Sequence, residues 1–128
     1  MSAIATQKGV RISPRKVAIV AALVRGRTVQ DAITILEHTP RRAALDVKEA
    51  VKSAAANAEH NHSYKPGTLE ITEISVTPGP RLKRFMPAAR GRARKFQRKT
   101  SHIRVVVDGE LRVIKKVERA TPTVEETK

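Results

Sequence analysis

The stretch that decides the fold is LEITEISVTPGPRLKRFMPAARGRARKFQRKTSHIRVVV, which spans residues 69–107. Both of its ends alternate between apolar and polar residues, the pattern of half-buried β-strands. Its middle, 81–99, contains nine lysines and arginines and no acidic residue, and Gly91 within it suits a tight turn. The stretch predicts one long β-hairpin, whose base belongs to a sheet and whose distal part, about residues 79–101, is a cationic arm.

A turn around residues 90–91 sets the pairing between the two strands of this hairpin. If the chain folds back there, the two residue numbers of each cross-strand pair add up to 181. This register predicts that Val76 faces Val105, Ile74 faces Val107 and Phe85 faces Phe96. The apolar alternation changes phase between Ile71 and Ile74, which predicts a β-bulge near Thr72-Glu73.

The arm predicts a polyanionic partner. It extends roughly 30 Å from the body, at about 3.3 Å per residue, and an isolated two-stranded ribbon of that length is marginal in water. The whole chain carries a formal net charge of +14, which favours nucleic acid as the partner that orders the arm. RNA is favoured because no recognition helix and no dimerising heptad is evident. A basic nucleoid-type DNA-binding protein stays open as the alternative.

Three helices and one short strand are predicted before the hairpin. Residues 4–12 alternate in part and form a candidate strand. Ser13-Pro14 has the form of an N-cap followed by proline at the first helical position. The segment Thr28–Asp31 has the form of a capping box for a short second helix. Thr39-Pro40 repeats the cap and the proline and predicts the start of a long third helix, which ends near His60.

Apolar residues recur at helical spacing along all three segments, so each helix has one face to bury. In the first helix these residues are Val17, Val20, Ala21 and Val24. In the second they are Ala32, Ile33 and Leu36. In the third they are Ala43, Val47, Ala50, Val51, Ala54 and Ala58, whose small side chains allow a neighbouring element to approach closely.

The residues after the hairpin predict a further strand and a tail. Asp108-Gly109 is a hairpin-type dipeptide, and Leu111, Val113 and Val117 would extend the sheet. Residues 118–128 are polar and predict a disordered tail. The predicted fold class is α+β: three helices packed on a small, about three-stranded antiparallel sheet with a long protruding β-hairpin arm. Residues 1–117 form a single RNA-binding domain in this interpretation.

Several function classes are disfavoured by what the sequence lacks. It has no cysteine, which excludes disulfides and thiolate metal sites. It has no long apolar run and no secretory signal block, so we expect a cytoplasmic protein without membrane contact. His60 and His62 stand beside Glu59, but a polar helix end explains them better than a metal site. Since no nucleophile motif and no glycine-rich phosphate loop occurs, no enzymatic activity, cofactor or small-molecule substrate is predicted.

Two groups of basic residues are candidates for contacts with RNA, because arginine suits forked contacts to phosphate and stacking on bases. The arm supplies Arg81, Lys83, Arg84, Arg90, Arg92, Arg94, Lys95, Arg98 and Lys99. The N-terminal region supplies Lys8, Arg11, Arg15, Lys16, Arg25 and Arg27, which predict a second phosphate-contacting face. Phe85 and Phe96 either stack on bases or form a cross-strand aromatic pair, and the sequence leaves both alternatives open.

Three segments resemble one known family. They are SPRKVAIVAALVRGR (13–27), AALDVKEAVKSAAANAEHN (43–61) and GPRLKRFMPAARGRARKFQRKTSHIRVVV (79–107). Together they closely resemble the bacterial L22 family of large-subunit ribosomal proteins over about residues 10–107. The resemblance is most specific from Lys83 to Val107. One departure is Ala88, where the family usually carries a basic residue.

This resemblance implies a structural, non-enzymatic constituent of the large ribosomal subunit, located in the ribosomes of the cytoplasm. Its implied partners are 23S rRNA, neighbouring large-subunit proteins and the nascent polypeptide. In that family the tip of an elongated hairpin lines the nascent-peptide exit tunnel, and changes there affect sensitivity to macrolide antibiotics, which bind nearby. By position, the tip residues here are Met86, Arg90, Gly91, Arg92 and Ala93.

Overall fold

The computed structural model describes residues 2–112, in which three helices pack on one face of a three-stranded antiparallel sheet. The strands are β1 (Ala3–Val10), β2 (Glu70–Pro87) and β3 (Ala93–Asp108). The helices are α1 (Pro14–Val24), α2 (Val29–His38) and α3 (Arg42–His62). The strand order β1-β3-β2 makes β3 the central strand. This architecture confirms the predicted α+β fold.

The core lies between the helices and the inner face of the sheet, and it uses the predicted helix faces. Every apolar residue predicted to be buried in α1 and α3 is buried, whereas Ile33 of α2 is only partly buried. Alternate residues of β3, from Ile103 through Val105 to Val107, complete the core. Arg104, on the opposite face of β3, is exposed.

The helix starts agree with the sequence at α1 and α2 but not at α3. Thr28 caps α2, and its hydroxyl oxygen accepts a hydrogen bond from the Asp31 backbone N–H at 3.3 Å. The predicted start of the third helix at Thr39-Pro40 is wrong. Thr39 instead ends α2, and its hydroxyl donates to the Ile35 carbonyl at 2.7 Å. With that hydroxyl engaged by the preceding helix, α3 begins two residues after Pro40, at Arg42.

Two β-bulges set the register of the hairpin. The first places Thr72 as an extra residue between the Ile71 and Glu73 pairs, as expected. The second, which the sequence did not predict, sets residues 79–80 opposite Thr100. The predicted register is therefore wrong: Ile74 faces Val105, Val76 faces Ile103, Arg84 faces Phe96 and Phe85 faces Lys95.

The size of this error differs between the base and the arm. The turn lies at Ala89–Gly91 as expected, but its centre is Arg90, which shifts the pairing in the arm by one residue. The second bulge shifts the pairing in the base of the hairpin by one residue more. A slip of two residues leaves the base residues on their predicted faces, because side chains alternate with period two. The slip of one residue in the arm puts Phe85 and Phe96 on opposite faces.

Close backbone approach explains the second bulge. Pro78 and Pro80 have no N–H to donate to the ladder. A Cβ atom on Gly79 would lie only 2.5 Å from the Thr100 hydroxyl oxygen, so a larger residue does not fit there. The Thr100 hydroxyl donates to the Pro80 carbonyl at 2.7 Å, which ties the bulge to the opposite strand.

The chain after β3 does not form the predicted hairpin at Asp108-Gly109. It runs beside the end of α3 instead, where the Lys65 N–H donates to the Glu110 carbonyl and the Arg112 N–H donates to the Ser63 carbonyl. Leu111 bridges to Tyr64 and is 66% exposed, so it does not extend the core. Val113, Val117 and the predicted tail at 118–128 lie outside the described residues, and the domain boundary at 117 stays a prediction.

Candidate nucleic-acid interface

The hairpin arm presents two faces of different chemistry, because directly opposite residues of an antiparallel pair share a face. One face, called the lysine face, carries Arg81, Lys83, Phe85, Lys95, Gln97 and Lys99. The other, called the arginine face, carries Leu82, Arg84, Met86, Arg94, Phe96 and Arg98. On the arginine face, each cross-strand pair joins one arginine to one apolar side chain.

Large apolar side chains on the arm are open to solvent. Phe85 is 66% exposed, Met86 53% and Leu82 48%, whereas Phe96 is partly buried. Since the two phenylalanines lie on opposite faces, the cross-strand aromatic pair is wrong. Stacking on bases stays a prediction for both, and an arginine beside Phe96 on the same face suits joint contact with a base and a phosphate.

The cations of the arm have no acidic neighbour along it, since residues 81–99 contain none. The ion pairs found within residues 2–112 join Lys48 with Glu37 and Lys65 with Glu110, both in the body. Arg81 and Lys99 lie directly opposite each other. A like-charge pair in that position is destabilising unless an anion screens it, so the arm is suited to an external polyanion.

A concave surface lies where the arm joins the body, and we call it the root groove. Its volume is about 710 Å³. Six cationic residues and no acidic residue line it: Arg11, Lys16, Arg41, Arg42, Arg98 and Lys99. The remaining lining residues are Ile12, Ser13, Ala43 and Gln97. The root groove is therefore a strongly electropositive cavity with a small apolar part.

The end of β1 leaves room for the root groove. Val10, the last residue of β1, pairs with Ser101 of β3. From Ser101 towards the arm, β3 therefore has a free edge, and residues 97–99 on it line the groove together with residues 11–13. Helices α1 and α3 both begin beside the groove, with no acidic residue in the first turn and no side-chain cap. Their unpaired backbone N–H groups add partial positive charge to that of the side chains.

An acidic residue, Asp46, lies beside this surface. It lines an adjoining cavity of about 290 Å³ together with Lys8, Arg11 and Arg42. Burial raises the pKa of the Asp46 carboxyl above its ordinary value, the negative charge of Glu49 raises it further, and Arg42 opposes both effects. The effect of Arg42 on the pKa of Asp46 is therefore smaller than the effect of burial.

Comparison with known proteins identifies the family. A family model described as ribosomal protein L22p/L17e matches residues 5–108, which include the entire arm and the whole sheet apart from the first two residues of β1. The chain belongs to the ribosomal protein L22p/L17e family. It is 51% identical over 107 residues to the large ribosomal subunit protein uL22 of Desulforamulus reducens, covering 84% of this chain and 95% of that relative. The uL22 of Clostridioides difficile is likewise 51% identical over 107 residues, covering 84% and 96%.

The N-terminal cations of this L22p/L17e family member divide between two places. Arg11 and Lys16 line the root groove, Lys8 lines the adjoining cavity, and Arg15 is exposed on the first turn of α1. Arg25 and Arg27 lie at the other end of α1, about 16 Å along the helix axis at 1.5 Å per residue. There the Arg25 guanidinium donates to the Ile74 carbonyl and that of Arg27 to the Leu23 carbonyl, both at 3.1 Å. The structure thus does not gather the six residues into one surface.

Arg41 and Arg42 are groove residues that the sequence interpretation missed. It placed the start of the third helix at Thr39-Pro40 and assigned no role to these two arginines. Their position could have indicated a binding site, because the positive end of the helix dipole repels two adjacent cations at a helix N-terminus unless an anion lies nearby.

All five predicted tip residues are exposed at the far end of the arm. Arg90 and Gly91 are both left-handed, with φ angles of 58° and 69°. The Ala88 N–H donates to the Arg92 carbonyl at 2.8 Å and closes the turn. Ala88, the departure from the family pattern, therefore takes part in the turn through its backbone and leaves no cationic side chain there.

Within residues 2–112, no helix is both long and apolar enough to cross a membrane. The same part of the chain contains no group of three or more His, Asp or Glu side chains placed to hold a metal ion. His60 and His62 lie in the last turn of α3, beside the left-handed C-cap Ser63.

Proposed function

We propose that this protein is a structural constituent of the large ribosomal subunit that binds and organises 23S rRNA. Its family and the names of two relatives at 51% identity support this assignment. The observation that carries the rRNA-binding part is the arm, whose nine cations lack any acidic neighbour between residues 81 and 99. Phosphate neutralisation is the mechanism: arm and root groove screen closely packed rRNA phosphates and allow RNA segments to approach each other.

The proposed role needs binding, orientation and charge, and no catalytic step. The arginine face offers guanidinium groups beside apolar side chains, a combination that suits single-stranded or irregular RNA, where bases are open to stacking. The lysine face offers point charges to phosphates. Neighbouring large-subunit proteins are further proposed partners of the body.

Binding of the full chain to 23S rRNA fragments tests this function. We expect affinity for structured rRNA fragments to exceed that for duplex DNA of equal length. We also expect log K to fall linearly with log salt, by roughly 0.7–0.9 per neutralised phosphate. Equal or tighter binding to duplex DNA would contradict the assignment and favour a nucleoid-type DNA-binding protein.

We further propose that the tip lines the nascent-peptide exit tunnel. The tip residues lie farthest from the body, are exposed, and contain Arg90, Gly91 and Arg92 in and beside the turn. A photo-crosslinking residue at position 92 should react with nascent chains in stalled ribosomes, whereas the same residue at position 52 on α3 should not. Crosslinks at position 52 but not at 92 would overturn the proposed location of the tip.

A further inference from the structure

We infer that the root groove holds one nucleotide extruded from bulged or sharply bent RNA, and that this nucleotide ties the arm to the body. The inference rests on the proposed function, which provides the RNA. It assigns the binding to a specific cavity and to Arg41 and Arg42, neither of which is on the hairpin arm.

The shape of the groove favours a single extruded nucleotide over a duplex. Its volume of about 710 Å³ falls within the range of cavities that enclose small organic ligands, roughly 300–1,000 Å³. A duplex presents a convex cylinder to a protein and contacts only the rim of such a cavity. An extruded nucleotide presents a flat base and a narrow backbone, which enter a concave site.

The lining residues match the parts of a nucleotide. Ile12 and Ala43 both line the groove, so they offer a small apolar wall to the face of a base. The side-chain amide of Gln97 has both a donor and an acceptor for a base edge. The cations around this wall are suited to the phosphates before and after the base, since arginine forms bidentate contacts with phosphate.

The cations lie on two different parts of the molecule. Arg41 and Arg42 belong to the start of α3, whereas Arg98 and Lys99 belong to the free edge of β3 at the root of the arm. A nucleotide between them contacts both parts and removes the repulsion that they exert on each other. Its binding therefore restricts the angle between the arm and the helical body.

Paired RNA ligands test the inference with the full-length protein. One is a hairpin with a single unpaired 2-aminopurine nucleotide, and the other is the same hairpin fully paired. We expect the unmodified protein to prefer the bulged RNA by roughly tenfold, the effect of stacking about one base on a protein surface. The fluorescence of 2-aminopurine should change on binding, because the base leaves water for the groove.

Two double variants with equal charge loss separate the groove from general electrostatics. The groove variant is Arg41→Gln with Arg42→Gln, and the control is Lys52→Gln with Arg104→Gln, both of them exposed cations outside the groove. We expect the groove variant to lose the preference for bulged RNA and the fluorescence change, while the control keeps both. Equal thermal transitions for the two variants establish that each is folded.

The outcomes distinguish this inference from the proposed function. If the unmodified protein binds rRNA over duplex DNA but does not prefer the bulged hairpin, the inference is overturned and the proposed function stands. A preference that survives in the groove variant also overturns it, because the base then binds elsewhere. If the unmodified protein shows no preference for rRNA over duplex DNA, the proposed function itself is contradicted.

Discussion

Arg84 lies directly opposite Phe96 across the hairpin arm, so Phe96 shares a face with arginines while Phe85 points to the other face. In an RNA complex of the proposed kind, the two aromatic side chains would therefore contact different parts of the RNA. Their separation also makes them independent of each other in the free protein.

A double-mutant cycle on Phe85→Ala and Phe96→Ala tests this independence. Because the side chains do not touch, we expect a coupling free energy of less than about 0.5 kcal/mol in the unfolding of the free protein. A stacked or edge-to-face pair would give about 0.5–1.5 kcal/mol. Chemical denaturation of the four proteins measures the coupling, and a value in the upper range would contradict the observed register.

The close approach at the second bulge predicts that Gly79→Ala is destabilising. The new Cβ atom would lie 2.5 Å from the Thr100 hydroxyl oxygen and displace the hydroxyl from its bond to Pro80. We expect a loss of about 1–3 kcal/mol in the free energy of unfolding, as for other overpacked sites.

A matched control for that substitution is Gly67→Ala. Nothing lies within 4 Å of the position that its Cβ atom would occupy. We expect a change within about 0.5 kcal/mol, as for ordinary surface sites. If urea denaturation gave equal losses for both variants, the contact with Thr100 would not be the cause.

The raised pKa of Asp46 predicts that the stability of the protein depends on pH. Its pKa in the folded protein lies above the ordinary value of 3.8, so the folded state binds this proton more tightly than the unfolded chain does. Stability from this group is present below pH 3.8 and is lost as the pH rises through the raised pKa.

Asp46→Asn should therefore be more stable than the unmodified protein at neutral pH, with the advantage disappearing below pH 3.8. We expect a gain of less than about 1 kcal/mol, because water screens this partly exposed carboxylate. Thermal denaturation of both proteins between pH 3 and 7 measures the difference. If the stability gain of Asp46→Asn increased as the pH fell, burial of the carboxylate would not be its cause.

The register defines how the arm can be shortened. Arg84–Phe85 pairs with Lys95–Phe96, so removing both dipeptides deletes two complete pairs and keeps all remaining faces. We expect an unchanged thermal transition of the body and an arm about 7 Å shorter, at about 3.3 Å per residue. If the tip lines the exit tunnel as proposed, it would withdraw in ribosomes and their macrolide sensitivity would change.

Removing Arg84–Phe85 alone is the contrasting deletion. It breaks the pairing between the bulge and the turn, so amide exchange in the arm should accelerate while the body still unfolds at the same temperature. Cooperative loss of the whole fold in either deletion would show that the arm belongs to the core.

Most features that carry an apolar or capping signal were predicted from the sequence, although the signal at Thr39-Pro40 was wrongly assigned to the start of α3. The buried faces of α1 and α3 followed from helical spacing, the Thr28 cap from its box with Asp31, and the Thr72 bulge from a change in apolar phase. Each signal is local, because it depends on residues within one turn or one strand.

Features without such a signal were not predicted. Pro78, Gly79 and Pro80 interrupt the apolar alternation, and the polar arm beyond them has no phase from which a second bulge can be detected. The root groove depends on tertiary structure, since it joins segments about thirty and ninety residues apart in sequence. The N-terminal cations were predicted individually, but their division between the two ends of α1 was not.

The opposed pair Arg81 and Lys99 places a like-charge repulsion at the root of the arm. Farther out, on the arginine face, every cation faces an apolar partner, so those pairs close without repulsion. At the root, two like charges meet beside the six-cation groove. We expect this innermost pair to open more readily than the pairs farther out while no anion screens its two charges, and to stay closed once an RNA phosphate binds beside it. A newly made copy of the protein would then carry an arm whose root is its least stable part until the proposed rRNA binds.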